Sequence, residues 1–188
     1  MTKIQISTTE YVEVTQDPDP VSPAEWDSVG TIAYARSSRY VLGTKAVTHD
    51  ELKDIERQIT IGTLIGMPVY AYIHGNVRIK AADSNTFSCP WDSGQSGFVY
   101  ATREAVFREY GGKRMTKRIR EAARNLLRAE VETFSQYLEG DVWLLTHIKD
   151  GEIVECCGGY YGWDYAMQEA KEWAAQAAAC NETQMEVV

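Results

Sequence analysis

The stretch at residues 87–100 reads Phe87-Ser88-Cys89-Pro90-Trp91-Asp92-Ser93-Gly94-Gln95-Ser96-Gly97-Phe98-Val99-Tyr100. It combines a proline, a tryptophan and two glycines with small polar residues, and it ends in an apolar segment typical of a strand. Glycine allows positive φ and close approach of two backbones, while Asp and Ser side chains can bond the neighbouring backbone. The composition therefore predicts a loop of defined shape that leads into a strand.

Two interpretations of this loop are open. In the first, the loop is a rigid connection and Trp91 fills the edge of the hydrophobic core. In the second, the loop forms a surface for a ligand or a partner, because binding residues concentrate in loops that a rigid scaffold carries.

The chain of 188 residues is long enough for one domain with a sizeable core, so we expect a single α+β domain over residues 1–188. Residues 1–21 read as a hairpin followed by a proline-rich linker and are a candidate peripheral part. The four cysteines include no CxxC pair, so we expect reduced thiols, no metal site and no cofactor. No segment approaches the roughly 20 apolar residues of a membrane span, which predicts a cytoplasmic protein without a membrane segment.

Charge is distributed unevenly along the chain. The net charge of −8 argues against general nucleic-acid binding, yet residues 113–128 carry seven basic residues and one acid, Glu121. The seven basic residues are Lys113, Arg114, Lys117, Arg118, Arg120, Arg124 and Arg128. This cluster is either a solvated helix face or a docking surface for an acidic partner or for phosphates.

Hairpin and helix signals alternate along the chain. Turn signals at Gly75-Asn76 and Asp150-Gly151 predict antiparallel hairpins over 69–80 and 142–156. Apolar residues at helical spacing predict helices over 49–60, 117–138 and 165–179, of which the last two are expected to cover the sheet, and we expect the last to be capped by Asp164. The predicted class is therefore α+β, with an antiparallel sheet built from hairpins and packed by two or three helices.

Local signals also predict where several elements begin and end. Thr48 and Glu51 have the spacing of a capping box at the start of the helix over 49–60. Thr102 is the expected N-cap of a short helix that ends at Gly111. The residues Gly62, Gly66 and Pro68 are expected to end the helix over 49–60, ahead of the hairpin over 69–80.

Candidate ligand or partner residues are aromatic, acidic or amide side chains in the predicted loops and strand ends. They are Trp26, Asp27, His74, Trp91, Asp92, Gln95, Tyr160, Tyr161 and Trp163. The rings could form stacking walls of a pocket or fill the core, and Asp27, His74 and Asp92 could meet at one site. The chain has no GxxxxGK[ST], GxGxxG, HExxH or GxSxG motif, so we assign no catalytic residue and do not favour an enzyme.

Three blocks spanning about residues 22–163 carry a resemblance. The blocks are Ser22-Pro23-Ala24-Glu25-Trp26-Asp27-Ser28-Val29-Gly30-Thr31, then Pro68-Val69-Tyr70-Ala71-Tyr72-Ile73-His74-Gly75, then 87–100 together with 130–142. In them the chain resembles an uncharacterised family of bacteriophage and mobile-element accessory proteins. Residues 34–39 depart from the family pattern, in which a histidine and more basic residues follow the strand. The resemblance implies a phage accessory gene product, and it brings no established activity.

Two functional hypotheses follow. The first is a phage-encoded, anti-CRISPR-like inhibitor that binds a host defence complex of the CRISPR-Cas or restriction type and blocks a nucleic-acid or partner site in the host cytoplasm. An acidic body can imitate the charge of phosphates, so this hypothesis expects acids from distant segments to converge. The alternative is a module that binds or sequesters a small nucleotide-like ligand in an aromatic, Asp-lined pocket, and it expects a concave pocket lined by the candidate rings.

Overall fold

The structure is a computed structural model that describes residues 1–36 and 38–185. The chain folds into two compact units. The central unit comprises Ser22–Glu139, and the terminal unit combines residues 1–21 with the described residues from Gly140 onward. Each unit combines a mostly antiparallel sheet with helical structure, three helices in the central unit and one in the described part of the terminal unit, so the predicted α+β class is confirmed. The expectation of one domain over 1–188 stays a prediction.

The secondary-structure elements alternate along the chain. The strands are β1 (Thr2–Gln5), β2 (Glu10–Gln16), β3 (Thr31–Ala35), β4 (Lys45–Val47), β5 (Leu64–His74), β6 (Asn76–Ala81), β7 (Ser93–Thr102), β8 (Val142–Lys149) and β9 (Glu152–Tyr161). The helices are α1 (His49–Thr60), α2 (Arg103–Tyr110), α3 (Lys117–Glu139) and α4 (Trp163–Met185), and a 3-10 turn spans Pro23–Glu25.

The central unit is a five-stranded sheet in the order β4-β3-β7-β5-β6, covered on one face by α3 and on the other by α1. All neighbours are antiparallel except β3 and β4, which are parallel. The inner strands alternate between the two cores, since Val99 packs with α3 while Phe98 packs with α1. Burial on both faces explains the continuous apolar run at the start of β5.

Gly66 and Pro68 were expected to lie in a break between the helix over 49–60 and the next strand, but both lie within β5. At Gly66, an added Cβ would lie only 2.5 Å from the Val99 carbonyl oxygen of β7, so glycine allows the two strands to approach closely. Pro68 precedes a register shift between Val69 and Tyr70 in the pairing of β5 with β7. Proline is tolerated in strands at such bulges. The hairpin of β5 and β6 was predicted correctly, but its first strand begins at Leu64.

Helix starts in the central unit follow their capping residues. The Thr48 hydroxyl accepts a hydrogen bond from the Glu51 N–H, and the Glu51 carboxylate accepts one from the Thr48 N–H at 2.7 Å. This capping box confirms the predicted bounds of α1. Thr102 caps α2 in the same way through the Ala105 N–H, and α3 ends one residue later than predicted.

The terminal unit is a four-stranded antiparallel sheet in the order β1-β2-β8-β9, with α4 on one face. Both predicted hairpins are confirmed, and β2 pairs with β8 to join the two ends of the chain. Residues 1–21 are integral to this sheet, since Val12 and Val14 are completely buried. Strand β9 runs on to Tyr161, and α4 begins at Trp163, so Asp164 lies in the first turn and is not the cap.

Candidate functional site

One end of the central sheet brings together two of the predicted site residues. Strand β5 ends at His74 and β7 begins at Ser93. Asp92, the last residue of the loop before β7, therefore lies beside the end of β5. The Ile73 N–H donates to the Asp92 carbonyl oxygen at 2.9 Å. The His74 Nδ1 atom lies 3.2 Å from Asp92 Oδ2, and the Cys89 thiol donates to the same oxygen at 3.2 Å.

The loop that carries Asp92 is held by its own hydrogen bonds. The Ser93 hydroxyl donates to the Cys89 carbonyl oxygen at 2.6 Å and accepts from the Asn85 amide at 2.9 Å. The Phe87 N–H donates to the Asn85 side-chain oxygen at 3.0 Å, and the Phe87 ring stacks on Tyr72 of β5 with centroids 5.6 Å apart. These contacts tie the loop to the sheet and give it the defined shape that its composition predicts.

The first interpretation of this loop, in which Trp91 fills the edge of the hydrophobic core, is wrong. The Trp91 side chain is 93% exposed, so it does not fill the edge of the core. The physical reason is that Cys89, Asp92 and Ser93 use their polar contacts to close the loop, which leaves the ring at the outer side of the turn. The structure therefore presents a large apolar ring to solvent on a loop of fixed conformation.

The order of contacts in the cluster limits its chemistry. A thiol nucleophile is activated when an imidazole lies between the thiol and a carboxylate. Here the Asp92 carboxylate lies between the Cys89 thiol and the His74 imidazole, and His74 is mostly exposed. These contacts thus stabilise the loop and do not form the nucleophile–base–carboxylate arrangement. Gln95 is exposed on β7 and lines a shallow depression with Asp92.

A cavity of about 210 Å³ lies between α3 and the segment that contains Trp26. Its walls are mainly apolar and include Trp26, Ile32, Leu126 and Phe134. The acid at this cavity is Glu130 of α3, which sequence analysis did not single out. Asp27, the predicted acid beside Trp26, is exposed and does not line the cavity.

Glu130 attaches this segment to α3. Its two carboxylate oxygens accept hydrogen bonds from the Val29 and Gly30 N–H groups, each at 2.9 Å. Burial raises the pKa of Glu130, and the two backbone hydrogen bonds oppose that shift without cancelling it. A Cβ atom at Gly30 would overlap the Glu130 carboxylate and the Leu127 side chain, so both side chains would have to shift to admit one. Two of the three resemblance blocks therefore meet at this cavity.

The basic cluster divides into two groups in the structure. Arg124 donates to the Gly66 carbonyl oxygen at 2.8 Å and pairs with Asp83, and Arg128 lies near Glu121 and Asp83. The other five residues surround the start of α3 and make no ion pair among the described residues; they are Lys113, Arg114, Lys117, Arg118 and Arg120. Cations at a helix N-terminus oppose the helix dipole, so the arrangement does not serve the stability of α3.

The predicted aromatic residues do not line one shared pocket. In the core of the terminal unit, Trp163 packs edge-on against Trp143 with the ring centroids 4.6 Å apart. Tyr160 packs against Trp173 there with the ring centroids 6.4 Å apart. Burial and the neighbouring Cys157 raise the pKa of Tyr160. The remaining members are placed differently: the Tyr161 hydroxyl donates to the Val21 carbonyl oxygen, Trp26 lines the cavity at Glu130, and Trp91 is exposed.

A buried acid in the terminal unit was not predicted. Glu10 is only 3% exposed, and its oxygens contact His147 Nε2 at 2.9 Å, Asn181 Nδ2 at 2.6 Å and Lys149 Nζ at 3.7 Å. Burial alone would raise the pKa of Glu10, but the hydrogen bonds and the charge of Lys149 outweigh it and lower the pKa. All four side chains line a cavity of about 350 Å³ that Cys180 also borders. The signal in the sequence is the spacing of Glu10 with Val12 and Val14 on the inward face of β2.

Charge separates between the two units. Residues 1–21 and 140–188 contain three lysines, no arginine and 13 acids, which is a net charge of −10. Residues 22–139 contain 16 basic residues and 14 acids, which is a net charge of +2. Pairing of β2 with β8 therefore collects acids from both ends of the chain in one unit.

Among the described residues, no group of three His, Cys, Asp or Glu side chains is arranged to hold a metal ion. Within residues 1–36 and 38–185, none of the helices combines the length and the apolar character needed to cross a membrane. Comparison of the chain with protein-family models, curated proteins and solved structures found no significant match.

Proposed function

We propose that the protein is a phage-encoded accessory protein that inhibits a host defence complex by binding it, with Trp91 as the central anchor of the interface. The observation that carries this proposal is the 93% exposure of Trp91 on a loop that its own hydrogen bonds hold in place. Tryptophan is among the residues most enriched at the energetic centres of protein interfaces. A loop that is already ordered also loses little conformational entropy when a partner covers it.

Closure of the loop determines the direction of the Trp91 ring, but exposure of the ring does not stabilise the fold. The apolar residues that do stabilise the monomer here lie in the strand after the loop, where Phe98 and Val99 of β7 are buried. The acidic terminal unit adds a second argument, because a net charge of −10 attracts a basic groove of the kind that handles nucleic acid. The combination of an apolar anchor and an acidic unit supports inhibition by occupation of a surface.

The test is a plating assay in a panel of host strains, each of which carries one CRISPR-Cas or restriction system. Expression of the protein should restore phage plating in the strain that carries its target. Trp91→Ala should lose that effect, since truncation of a hot-spot residue costs about 2 kcal/mol or more, roughly thirtyfold in Kd. Tyr40→Ala is the matched control, because Tyr40 is a partly exposed aromatic residue of the same unit, at 38% exposure.

Two results would overturn the proposal. One is a wild-type protein that restores plating in none of the strains, although it is expressed and folded. The other is a folded Trp91→Ala variant that restores plating as well as the wild type does. Equal loss in Trp91→Ala and Tyr40→Ala would also count against a localised anchor at the loop.

A second candidate function rests on the cavity at Glu130. Its volume of about 210 Å³, its apolar walls and the Trp26 ring are suited to a flat nucleotide-like ring, and the carboxylate could accept N–H groups from that ring. Titration calorimetry with free nucleosides and nucleotides tests this function. Binding that is lost in Trp26→Ala and kept in Trp91→Ala would favour it, whereas no heat with any of them would exclude it for these ligands.

A further inference from the structure

Strand β9 is a long outer strand of the terminal sheet, and its exposed part contains neither proline nor lysine. Residues 152–159 are all exposed, including Ile153 at 68% and Val154 at 58%. Natural edges are commonly protected by short length, proline or lysine. The opposite edge of the same sheet, β1, has only four residues and contains Lys3, whereas β9 has ten residues with neither lysine nor proline. The two edges of one sheet are therefore built differently.

The open part of β9 has a defined length. At its far end, Asp17 accepts a hydrogen bond from the Gly159 N–H at 2.9 Å, and a Cβ atom at Gly158 would overlap the same carboxylate. Asp17 thus contacts β9 at Gly158 and Gly159, where the pairing of β9 with β8 shifts register. Among the described strands, only β8 pairs with β9. The free edge consists of residues 152–157, which is the length of a typical strand.

A bulge sorts the side chains of this edge by chemistry. Glu152 is opposite Lys149 and Glu155 is opposite His147, so the register shifts between them. Because Lys149 and His147 are two residues apart on β8, both glutamates lie on the same face of the sheet. Ile153 is opposite Ile148, which places it on the other face. Glu152 and Glu155 thus lie on one face of the edge and Ile153 on the other, while Val154 lies at the bulge and lines the cavity at Glu10 together with Glu155.

The negative charge of the terminal unit favours a basic partner at this edge. A second copy would bring the same two glutamates and another unit of net charge −10, and like charges on paired strands are destabilising. Nucleic acid is repelled for the same reason. We propose that residues 152–157 bind an extended segment of a partner protein as a fifth strand, with basic residues facing Glu152 and Glu155 and apolar residues facing Ile153. Added strands of this kind gain affinity from backbone hydrogen bonds and specificity from alternate side chains.

The test uses a blocked peptide of alternating arginine and valine as the probe, with an alternating glutamate and valine peptide for comparison. The readout is hydrogen exchange of the backbone amides of β9 in the full chain. With the basic peptide at about ten times its Kd, exchange of the outward amides in 152–157 should slow about tenfold. The acidic peptide should leave exchange unchanged, and added salt should weaken the basic peptide.

Charge reversal makes the test specific. A variant with Glu152→Lys and Glu155→Lys should prefer the acidic peptide, because both side chains are exposed and the strand register stays the same. Glu172→Lys, at an exposed position of α4 in the same unit, is the matched control and should keep the wild-type preference.

Three outcomes would overturn the proposal: no protection of β9 by the basic peptide, no change of preference in the double variant, or protection of β9 by self-association of the protein without peptide. Sedimentation of the free protein separates the third outcome from peptide binding. The proposal is independent of the loop in the central unit, so Trp91→Ala should bind the basic peptide as the wild type does.

Discussion

Two glycines on the same strand provide a matched test of how the central sheet is packed. Gly97 of β7 lies opposite Tyr34 of β3. A Cβ atom at Gly97 would overlap the Ala33 carbonyl oxygen, and it would lie 2.9 Å from the Ala33 carbonyl carbon and 3.0 Å from Tyr34 Cα. Gly94 of the same strand has no atom within 4 Å of such a Cβ, and neither glycine has a positive φ.

The expected cost of Gly97→Ala follows from the atoms it meets. All three are backbone atoms of β3, so the overlap can be relieved only by moving that strand away from β7. Overpacking costs about 1–3 kcal/mol, and two weakened ladder hydrogen bonds add about 1 kcal/mol each, so we expect a loss of about 3–5 kcal/mol. Gly94→Ala should instead gain about 0.4–1 kcal/mol, since alanine restricts the unfolded chain.

The measurement is urea unfolding of both variants beside the wild type, followed by far-UV circular dichroism. Equal slopes with a lower midpoint for Gly97→Ala and an equal or higher midpoint for Gly94→Ala are the expected result. If Gly97→Ala does not fold while Gly94→Ala does, the order of stabilities is the same. Similar midpoints for the two variants would refute the close approach of β3 to Gly97.

Three further predictions concern individual side chains. Trp91→Ala should change the free energy of unfolding by less than about 0.5 kcal/mol, because the ring is exposed; a larger loss in urea unfolding would contradict its placement. Ser135→Ala should cost about 1–3 kcal/mol, because it leaves the buried Ile79 N–H without its acceptor, whereas Thr133→Ala, whose hydroxyl bonds within its own helix, should cost less in the same assay. The lowered folded-state pKa of Glu10 means that its contribution to stability is full above the ordinary glutamate pKa and is lost as pH falls through the folded value; urea midpoints from pH 7 downward should show this loss, and Glu10→Gln should reduce it.

Elements that depend on neighbouring residues were predictable from sequence. The capping box of α1 and the turns of the hairpins are local interactions, so their residue types and spacing determine where these elements begin and end. The approach of His74 and Asp92 was also within reach. Both residues follow from the same prediction, a hairpin strand that ends where the shaped loop closes.

Side-chain orientation in the loop was not predictable. The composition of residues 87–97 indicates a tight turn, but the side on which Trp91 emerges depends on which polar groups close the loop. Those contacts include Asn85, which lies outside the stretch that marks the loop. The buried position of Glu10 had a signal in its alternation with valines, but its partner His147 is 137 residues away.

The acidic charge on which the proposed binding depends comes from the pairing of distant segments and not from a local run of charged residues. Along the sequence, the basic residues at 113–128 are the most conspicuous feature, yet Arg124 and Arg128 have acidic neighbours in the structure. In the terminal unit, Lys3 contacts Glu13 and Lys149 contacts Glu10, so two of its three lysines already face acids. The acidic field of that unit therefore results from the pairing of β2 with β8, which no local pattern specifies. A partner that responds to this field should bind more weakly as salt increases, whereas binding through Trp91 should depend less on salt, and this difference separates the contributions of the two surfaces.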